Sequence, residues 1–312
     1  MVKKYALTGI RNYVHDQFNV HTPFYFASYA KYLKSLKDIG VNEIEHAGSN
    51  IKFTTQRERL KNAVEEIHNS GMRAYLYTGV FGSENLNHHR KLESFAQRDK
   101  HGNVLSYSGK SLKTAMMCPA SGYTENVITP RLLDRIQLAR FDGLFCDIPW
   151  IMKSGCYCDN CKTQKEEGAD NAMIVRNALI KIVSALKKEN PSISICINAA
   201  APTIHDNSLS GGHIDNLIGI FDEYLTEWNP YRWNQNVSIV SRCIEYAGKT
   251  VNGRLVNATT LTTRQGEMYT SDQYMKLFSS ILQGGATPRL GVRFPSEQLR
   301  IIGYAWRKAM DL

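Results

Sequence analysis

A single carboxylate, Asp147, stands where the sequence favours chemistry. It ends the apolar run Phe141-Asp-Gly-Leu-Phe-Cys-Asp147, which has the composition of a buried strand, and a proline-containing aromatic loop follows it. Parallel α/β folds carry functional side chains at the carboxyl ends of their strands, because those ends converge on one mouth. Asp147 is therefore predicted to be a nucleophile at such a mouth, with a helix N-cap or a loop salt bridge as the alternative role. Asp142, at the start of the same run, is predicted to be structural.

A second acid has to accompany Asp147 if the chemistry is glycoside hydrolysis with retention of configuration. One carboxylate then attacks the anomeric carbon, and a carboxylic acid about 5 Å away protonates the leaving oxygen. The stretch Phe221-Asp-Glu-Tyr-Leu-Thr-Glu-Trp-Asn-Pro230 supplies three acids. If a strand runs through Leu225, Glu227 ends it beside Trp228, and an aromatic neighbour suits a general acid. If the strand ends earlier, Glu223 takes the role; the first alternative is favoured.

Three cysteines in the loop after Asp147 have the spacing of metal ligands. Cys156, Cys158 and Cys161 form a C-x-C-x-x-C array, and Cys118 is the candidate for a fourth, remote ligand. Four thiolates close a tetrahedral zinc site, so the zinc would be structural. The other cysteines lie in strand or helix patterns and are predicted to be buried apolar side chains: Cys146, Cys196 and Cys243.

Aromatic, polar and basic residues near the predicted strand ends complete the candidate pocket. Histidine and asparagine can hydrogen-bond sugar hydroxyls, tryptophan can stack on pyranose rings, and an arginine would suit an anionic group on the substrate. For each histidine and tryptophan a structural role is the alternative. The candidates are His15, His21, His46, Trp150, Asn198, Trp228, Trp233 and Arg293.

The elements that must position these residues form a repeated pattern. Strands are predicted near residues 5–14, 41–47, 72–79, 141–147, 192–198, 217–228, 254–257 and 288–293, and helices at 22–40, 56–69, 123–137, 172–188, 239–247, 271–282 and 296–310. Repeated βα units indicate an α/β fold, and eight of them predict a (β/α)8 TIM barrel, ahead of an open sheet, in one domain of residues 1–312. A long polar loop at about 80–120 is expected to cover a site or form a small subdomain.

Composition and charge argue against several classes of function. The chain of 312 residues has a formal charge of +9, but its basic residues are spread along helical stretches, so no nucleic-acid partner is predicted. No run of about 18 apolar residues occurs, which predicts no membrane partner. The first residues have the pattern of a strand rather than of a leader, so a cytoplasmic location is expected.

At this point the chain resembles glycoside hydrolases related to α-L-fucosidases and family 42 β-galactosidases. The resemblance rests on the strand ending at Asp147, the cysteine array after it, Met117-Cys-Pro119 and Leu282-Gln-Gly-Gly-Ala-Thr-Pro288. Family 42 enzymes bind zinc through one remote cysteine and a C-x-C-x-x-C array. The resemblance implies the same role for Cys118, Cys156, Cys158 and Cys161.

The catalytic groups depart from family 42 and are similar to those of other barrels. Family 42 enzymes end strand four on Asn-Glu and carry a glutamate on strand seven, whereas this chain has Cys146-Asp147 and Arg254-Leu-Val-Asn257. Barrels of the α-fucosidase and α-galactosidase type use an aspartate on strand four, and the latter place the acid/base on strand six. This resemblance implies those roles for Asp147 and Glu227.

The sequence therefore predicts a retaining glycoside hydrolase with a carbohydrate substrate. The rival interpretation is a catalytically silent barrel that binds saccharide or serves as a subunit of a larger assembly, and a homo-oligomer is left open. A hydrolase or lyase that uses the zinc directly is disfavoured, because three or four thiolates leave no coordination position for a substrate.

Overall fold

The computed structural model describes most of the chain, in ten segments. These are residues 8–12, 24–47, 54–82, 84–107, 112–199, 211–227, 230–233, 236–259, 267–290 and 296–311. In parts of them, among which are residues 8–12 and 46–47, the backbone alone is described.

Eight parallel strands close into a barrel in the order of the sequence, which confirms the predicted (β/α)8 fold. The strands are β1 Thr8–Asn12, β2 Glu43–Ala47, β3 Arg73–Gly79, β4 Gly143–Asp147, β5 Ser194–Asn198, β6 Glu223–Thr226, β7 Arg254–Thr259 and β8 Thr287–Leu290. The barrel closes where β8 pairs with β1, at Thr8 opposite Arg289.

Nine helices are found in the described segments. They are α1 Phe24–Asp38, α2 Thr54–Asn69, α3 Thr129–Ala139, α4 Asp159–Glu166, α5 Asn171–Glu189, α6 Pro230–Trp233, α7 Ser238–Thr250, α8 Ser271–Gln283 and α9 Ser296–Met310. Side-chain caps fix the first residues of two helices. At the start of α5, Asp170 accepts a hydrogen bond from the Met173 amide, and at the start of α8, Thr270 forms a reciprocal capping box with Gln273. Among the described residues, no helix combines the length and the apolar character that crossing a membrane requires.

Two predicted elements differ from the structure. The helix expected from residue 123 begins with a π-helical turn, Thr124–Ile128, and becomes α-helical only at Thr129. Pro130 explains the change, because a proline has no amide hydrogen and fits best in the first turn of an α-helix. Strand six was predicted within residues 217–228, but β6 is only four residues long, and a 3₁₀ turn, Ile214–Leu217, precedes it.

The interior of the barrel contains an apolar cluster near its middle and an ionic layer at its lower end. Phe145, Cys196, Leu225 and Val256, each at the middle of its strand, pack together. Near the strand starts, the Arg254 guanidinium donates to carboxylates from opposite sides of the barrel, Glu223 on β6 and Glu43 on β2.

The carboxylates of the ionic layer have further partners. Tyr75 and Ser194 donate to Glu223 at 2.8 and 2.6 Å, and Arg73 donates to Glu43 at 3.2 Å. Burial raises the pKa of Glu43, and the hydrogen bond from Arg254 opposes that effect. Polar groups thus close the amino-terminal end of the barrel, opposite the carboxyl ends of the strands. This is the end whose residues are expected to serve stability.

Gly143 allows the Tyr75 ring to lie across the start of β4. A Cβ atom at position 143 would overlap that ring. We expect Gly143→Ala to lower the free energy of unfolding by about 1–3 kcal/mol, because the ring would have to move and would lose its bond to Glu223. Urea denaturation measures the change. The cost should shrink in a Tyr75→Ala background, and an equal cost in both backgrounds would contradict the explanation.

Residues 80–120, the segment after β3, are called the insertion below; those that the structure describes are joined by isolated bridges rather than by regular strands. Isolated antiparallel bridges join Glu84 to Ala115, Ala96 to Met117 and Arg98 to Val104. The buried Glu84 also accepts hydrogen bonds from Tyr123 at 2.6 Å and from Arg131 at 2.5 Å. The insertion is therefore anchored to the barrel at the start of α3.

Candidate active site

Asp147 ends β4 and is almost fully buried, with 7% of its surface exposed. Three donors hold its two oxygens: the Tyr77 hydroxyl at 2.6 Å, the Asn198 side-chain amide at 2.9 Å and the Ile148 backbone amide at 3.0 Å. Such a set of donors matches an ionised carboxylate, which can only accept hydrogen bonds. The side chain is therefore fixed in orientation at the carboxyl end of the barrel.

The backbone directly after Asp147 is strained. Ile148 has a φ of 53°, a conformation that β-branched residues very rarely adopt. Its side chain leaves no room at Gly82, where an added Cβ would lie 2.7 Å from two Ile148 carbons. Strained backbone of this kind is concentrated at functional sites, where the surrounding structure maintains it. Here the strained residue is the one whose amide donates to Asp147.

Asn198 joins Asp147 to a second carboxylate. It ends β5, and its side-chain nitrogen donates both to Asp147 at 2.9 Å and to Glu227 Oε1 at 3.2 Å. Glu227 follows directly after β6 and is exposed, whereas Asn198 is buried. Two oxygens that contact one nitrogen at these distances are at most about 6 Å apart. Three neighbouring strands thus bring two acids of different exposure together.

Glu223, the alternative partner, occupies the other end of β6. It is the first residue of the strand and accepts from Arg254, Tyr75 and Ser194 in the ionic layer. Because β6 runs through Leu225, the condition that favoured Glu227 is met. Asp142 likewise lies just before β4, where it accepts hydrogen bonds from the Ala74 amide and pairs with His68.

An aromatic and cationic layer lies beneath the two acids. Phe145, two residues before Asp147 on the same strand, stacks on Tyr77 with ring centroids 5.6 Å apart. The Arg289 guanidinium lies 3.8 Å from the Phe145 centroid and is ion-paired with Glu45. Since β8 and β4 are opposite each other in the barrel, this contact crosses the interior. The layer holds Tyr77 in the position from which it donates to Asp147.

Trp150 is the predicted aromatic platform that the structure describes in full. It is half-buried in the loop after β4, and a Cβ added to Gly212 would lie 3.1 Å from its ring. Its carbonyl accepts a hydrogen bond from Gln97 of the insertion at 3.2 Å. The loop that carries Trp150 is therefore fixed by a side chain from outside the regular barrel.

The remaining predicted substrate contacts have no described side chains. His15, His21, Trp228 and Arg293 lie outside the described residues, and β8 is described only as far as Leu290. For His46, on β2, and Trp233, on α6, only the backbone is described.

Sequence reasoning missed two residues that contact this site or its loop, Tyr77 and Gln97. Tyr77 could have been found from its spacing, because residues two apart on a strand point to the same face. Tyr75 and Tyr77 of the third strand therefore both point into the barrel. Gln97 gives no such signal, since it lies in the irregular insertion.

The four predicted metal ligands form one cluster. Their sulfur atoms all lie within 4.8 Å of one another, and Cys118 Sγ is 3.3 Å from Cys161 Sγ and 3.4 Å from Cys158 Sγ. A tetrahedral ion with metal–sulfur bonds of about 2.3 Å requires sulfur–sulfur distances of roughly 3.8 Å. The cluster therefore fits a metal ion with four thiolate ligands. It joins the end of the insertion to the first turn of α4.

The thiols of this cluster influence one another. Hydrogen bonds with Cys156, Cys158 and Cys161 raise the pKa of Cys118, whereas the hydrogen bond with Cys118 lowers the pKa of Cys158. Cys158 is also the only partly exposed member. A thiol that loses its proton readily provides the thiolate that a soft cation binds. The three cysteines outside the cluster, Cys146, Cys196 and Cys243, are buried, as predicted.

Several solved structures share this architecture. The α-L-fucosidase isoenzyme 2 of Paenibacillus thiaminolyticus has a TM-score of 0.70 and 16% identity over 98% of this chain and 49% of that one. The glycoside hydrolase domain of PgaB (BpsB) from Bordetella bronchiseptica has a TM-score of 0.70 and 11% identity over 96% and 98% of the two chains. The β-galactosidase of the psychrophilic Marinomonas ef1 has a TM-score of 0.68 and 10% identity over 98% and 59%.

The fold is that of glycoside hydrolase barrels. The predicted resemblance is thus confirmed at the level of the fold, although the chain spans only about half the length of the fucosidase. No family model matches the chain, and no curated protein matches it. One barrel supports many reactions, so the chemistry of this chain has to come from its own site residues.

Proposed function

We propose that the protein is a retaining glycoside hydrolase. The proposal rests on the two hydrogen bonds that the Asn198 side chain donates, one to Asp147 and one to Glu227. They bring the two carboxylates close together at the carboxyl end of the barrel. Retaining enzymes hold their two carboxyl groups about 5–5.5 Å apart, and inverting enzymes about 6.5–9.5 Å apart to admit a water molecule. The limit of about 6 Å between the bonded oxygens supports retention.

The difference in environment between the two acids supports the proposed roles. Asp147 is buried and held by three donors, so its oxygens are fixed for attack on an anomeric carbon. Glu227 is exposed at the mouth, where a leaving group and later a water molecule can reach it. A nucleophile held in one orientation beside an acid that the leaving group can reach is compatible with the two-step mechanism.

In the first step, an oxygen of Asp147 bonds to the anomeric carbon while the glycosidic carbon–oxygen bond breaks. The leaving oxygen keeps the bonding electrons and takes the proton of Glu227. In the second step, Glu227 removes a proton from water, whose oxygen attacks the anomeric carbon and releases Asp147. Tyr77 and Asn198 stabilise the carboxylate of Asp147 before attack and again as it leaves.

The four-cysteine cluster is proposed to bind zinc in a structural role. Four thiolates fill a tetrahedral shell, so the ion has no position for a substrate. Its effect would be to fasten the insertion to the loop after β4, which carries Trp150. A cytoplasmic location, a single domain over residues 1–312 and homo-oligomer formation stay predictions from the sequence.

Hydrolysis of a panel of p-nitrophenyl glycosides tests the proposed function. The panel should contain α-L-fucoside and both anomers of galactoside, the sugars named for the similar structures, together with glucosides and N-acetylglucosaminides. We expect the wild-type protein to release p-nitrophenol from at least one member and NMR to show a first product of the same anomeric configuration. If the protein hydrolysed neither the panel nor natural glycans but still bound saccharide, the result would favour the rival interpretation, a barrel that binds saccharide without catalysis.

Glu227 and Glu223 can be separated by matched variants. We expect Glu227→Gln to lower kcat/KM by roughly 10²- to 10⁴-fold for glycosides with poor leaving groups, because the proton donor is lost, and by less for p-nitrophenyl substrates. Glu223→Gln should keep nearly full activity and instead lower the urea midpoint, because it weakens the bond to Arg254. The reverse pattern would assign the acid to Glu223.

A further inference from the structure

Gln97 is a polar side chain with no exposed surface. Its side-chain nitrogen donates to the Met117 carbonyl at 3.0 Å and to the Trp150 carbonyl at 3.2 Å, and its oxygen accepts from the Met152 amide at 2.9 Å. A buried amide with this many partners fixes all of them, because moving any one leaves another buried polar group without a bond.

The contacts of Gln97 connect two parts of the protein that are far apart in sequence. Its own backbone belongs to the insertion, where its amide donates to Met116 at 2.7 Å. Met117 directly precedes the metal-ligand candidate Cys118, while Trp150 and Met152 belong to the loop after Asp147. One side chain therefore lies between the cysteine cluster and the loop next to the candidate nucleophile.

Other hydrogen bonds of the insertion reach the two ends of this loop: the Phe81 amide donates to the Ile148 carbonyl at 3.3 Å, and the Tyr157 amide donates to the Arg98 carbonyl at 2.8 Å. Glu84 bonds to Tyr123 and Arg131, which lie before and on α3. The cysteines hold the loop farther along, at residues 156–161, whereas the Gln97 side chain bonds to Trp150 and Met152 between these ends. Gln97 therefore holds the middle of the loop, at a place that the bonds of Phe81 and Arg98 do not contact.

We propose that Gln97 is a positioning residue that couples metal binding at the cysteine cluster to the order of residues 150–152. With the metal bound, Cys118 holds Met117 in place, and Gln97 then fixes Trp150 and the Met152 amide. Without the metal, the end of the insertion moves and the bonds of Gln97 are lost together. The consequence for saccharide affinity, through Trp150, rests on the proposed function; the coupling itself does not.

Hydrogen exchange measured by mass spectrometry tests the coupling without any substrate. We expect the Met152 amide of the zinc-loaded wild-type protein to exchange at least tenfold more slowly than after removal of the metal by a chelator. In Gln97→Met, which keeps the volume and loses the bonds, that amide should exchange fast with zinc bound, and the chelator should add little. Zinc content should stay at the wild-type value, because Gln97 is no ligand.

Gln298 provides a matched control. It is a buried glutamine that donates to a backbone carbonyl, that of Tyr269, away from the cluster. Gln298→Met should leave the metal dependence of Met152 exchange at its wild-type size. The coupling would be overturned if chelation left Met152 exchange unchanged in the wild-type protein, if Gln97→Met kept the full metal dependence, or if the chain took up no metal. The first and last outcomes need no variant, so they stand even if Gln97→Met fails to fold.

Discussion

Asp147→Asn is expected to lower kcat/KM by roughly 10⁴-fold or more on the best glycoside of the panel, the size of loss seen when a nucleophilic residue is removed. The amide cannot form the covalent bond to the anomeric carbon, but it keeps the size of the side chain and an oxygen that can accept from Tyr77 or Ile148. The loss should therefore appear in kcat, with the protein still folded. Steady-state kinetics and circular dichroism measure the two effects.

A second variant and a control make this expectation specific to a nucleophile. Asp147→Gly leaves space where azide can attack, and we expect added azide to restore turnover and to give a glycosyl azide of inverted configuration. Asp142→Asn changes the same residue type just before the same strand, where the side chain bonds Ala74 and His68. It should keep activity within a few-fold. Equal losses in both asparagine variants, or no azide product, would remove Asp147 from the proposed role.

Much of this arrangement follows from local sequence. The run that ends at Asp147 has the composition of a buried strand. Eight strand–helix units in one chain are compatible with few architectures besides a barrel. Once the strands are assigned, their carboxyl ends must meet, which is why Asn198 was placed at the mouth. The C-x-C-x-x-C array likewise predicts its own clustering, because ligand spacing is a property of a short loop.

The fine register of the barrel could not be derived in the same way. Glu223 begins β6 and Glu227 directly follows its last residue, and only the bounds of this short strand put the first in the ionic layer and the second at the mouth. Those bounds depend on pairing with β5 and β7, which are distant in sequence. Alternation of side chains does not separate positions four apart, so the choice between the two acids depends on where the strand begins and ends.

The insertion was harder still to predict. Its bridges are isolated and are not part of regular strands, and the role of Gln97 arises only when Met117 and the loop after Asp147 are brought to it. Nothing in a lone glutamine distinguishes such a position from an exposed one. The cysteines are the exception, because their chemistry demands a common partner, and they predict where the end of the insertion must lie. The cysteines thus predict the position of a segment whose other residues do not predict it.

Cys118→Ser is expected to remove bound zinc and to lower the thermal stability of the protein. The wild-type protein, expressed with zinc, should contain about one zinc ion per chain, whereas a site that has lost one of four thiolates should retain little. An ion present at 1,000 times its dissociation constant stabilises the folded state by about 4 kcal/mol. For a domain of this size, that corresponds to a fall in Tm on the order of 10 °C when zinc is lost.

Cys243→Ser is the matched control for this loss. It makes the same change at a buried cysteine on α7, outside the cluster. Elemental analysis should find wild-type zinc in this variant, and a chelator should lower its Tm as it does for the wild-type protein, whereas Cys118→Ser should no longer respond to the chelator. Equal zinc contents in the two variants, or iron in place of zinc in the wild-type protein, would contradict a four-cysteine zinc site. A chelator effect on Tm that persists in Cys118→Ser would place the stabilising metal elsewhere.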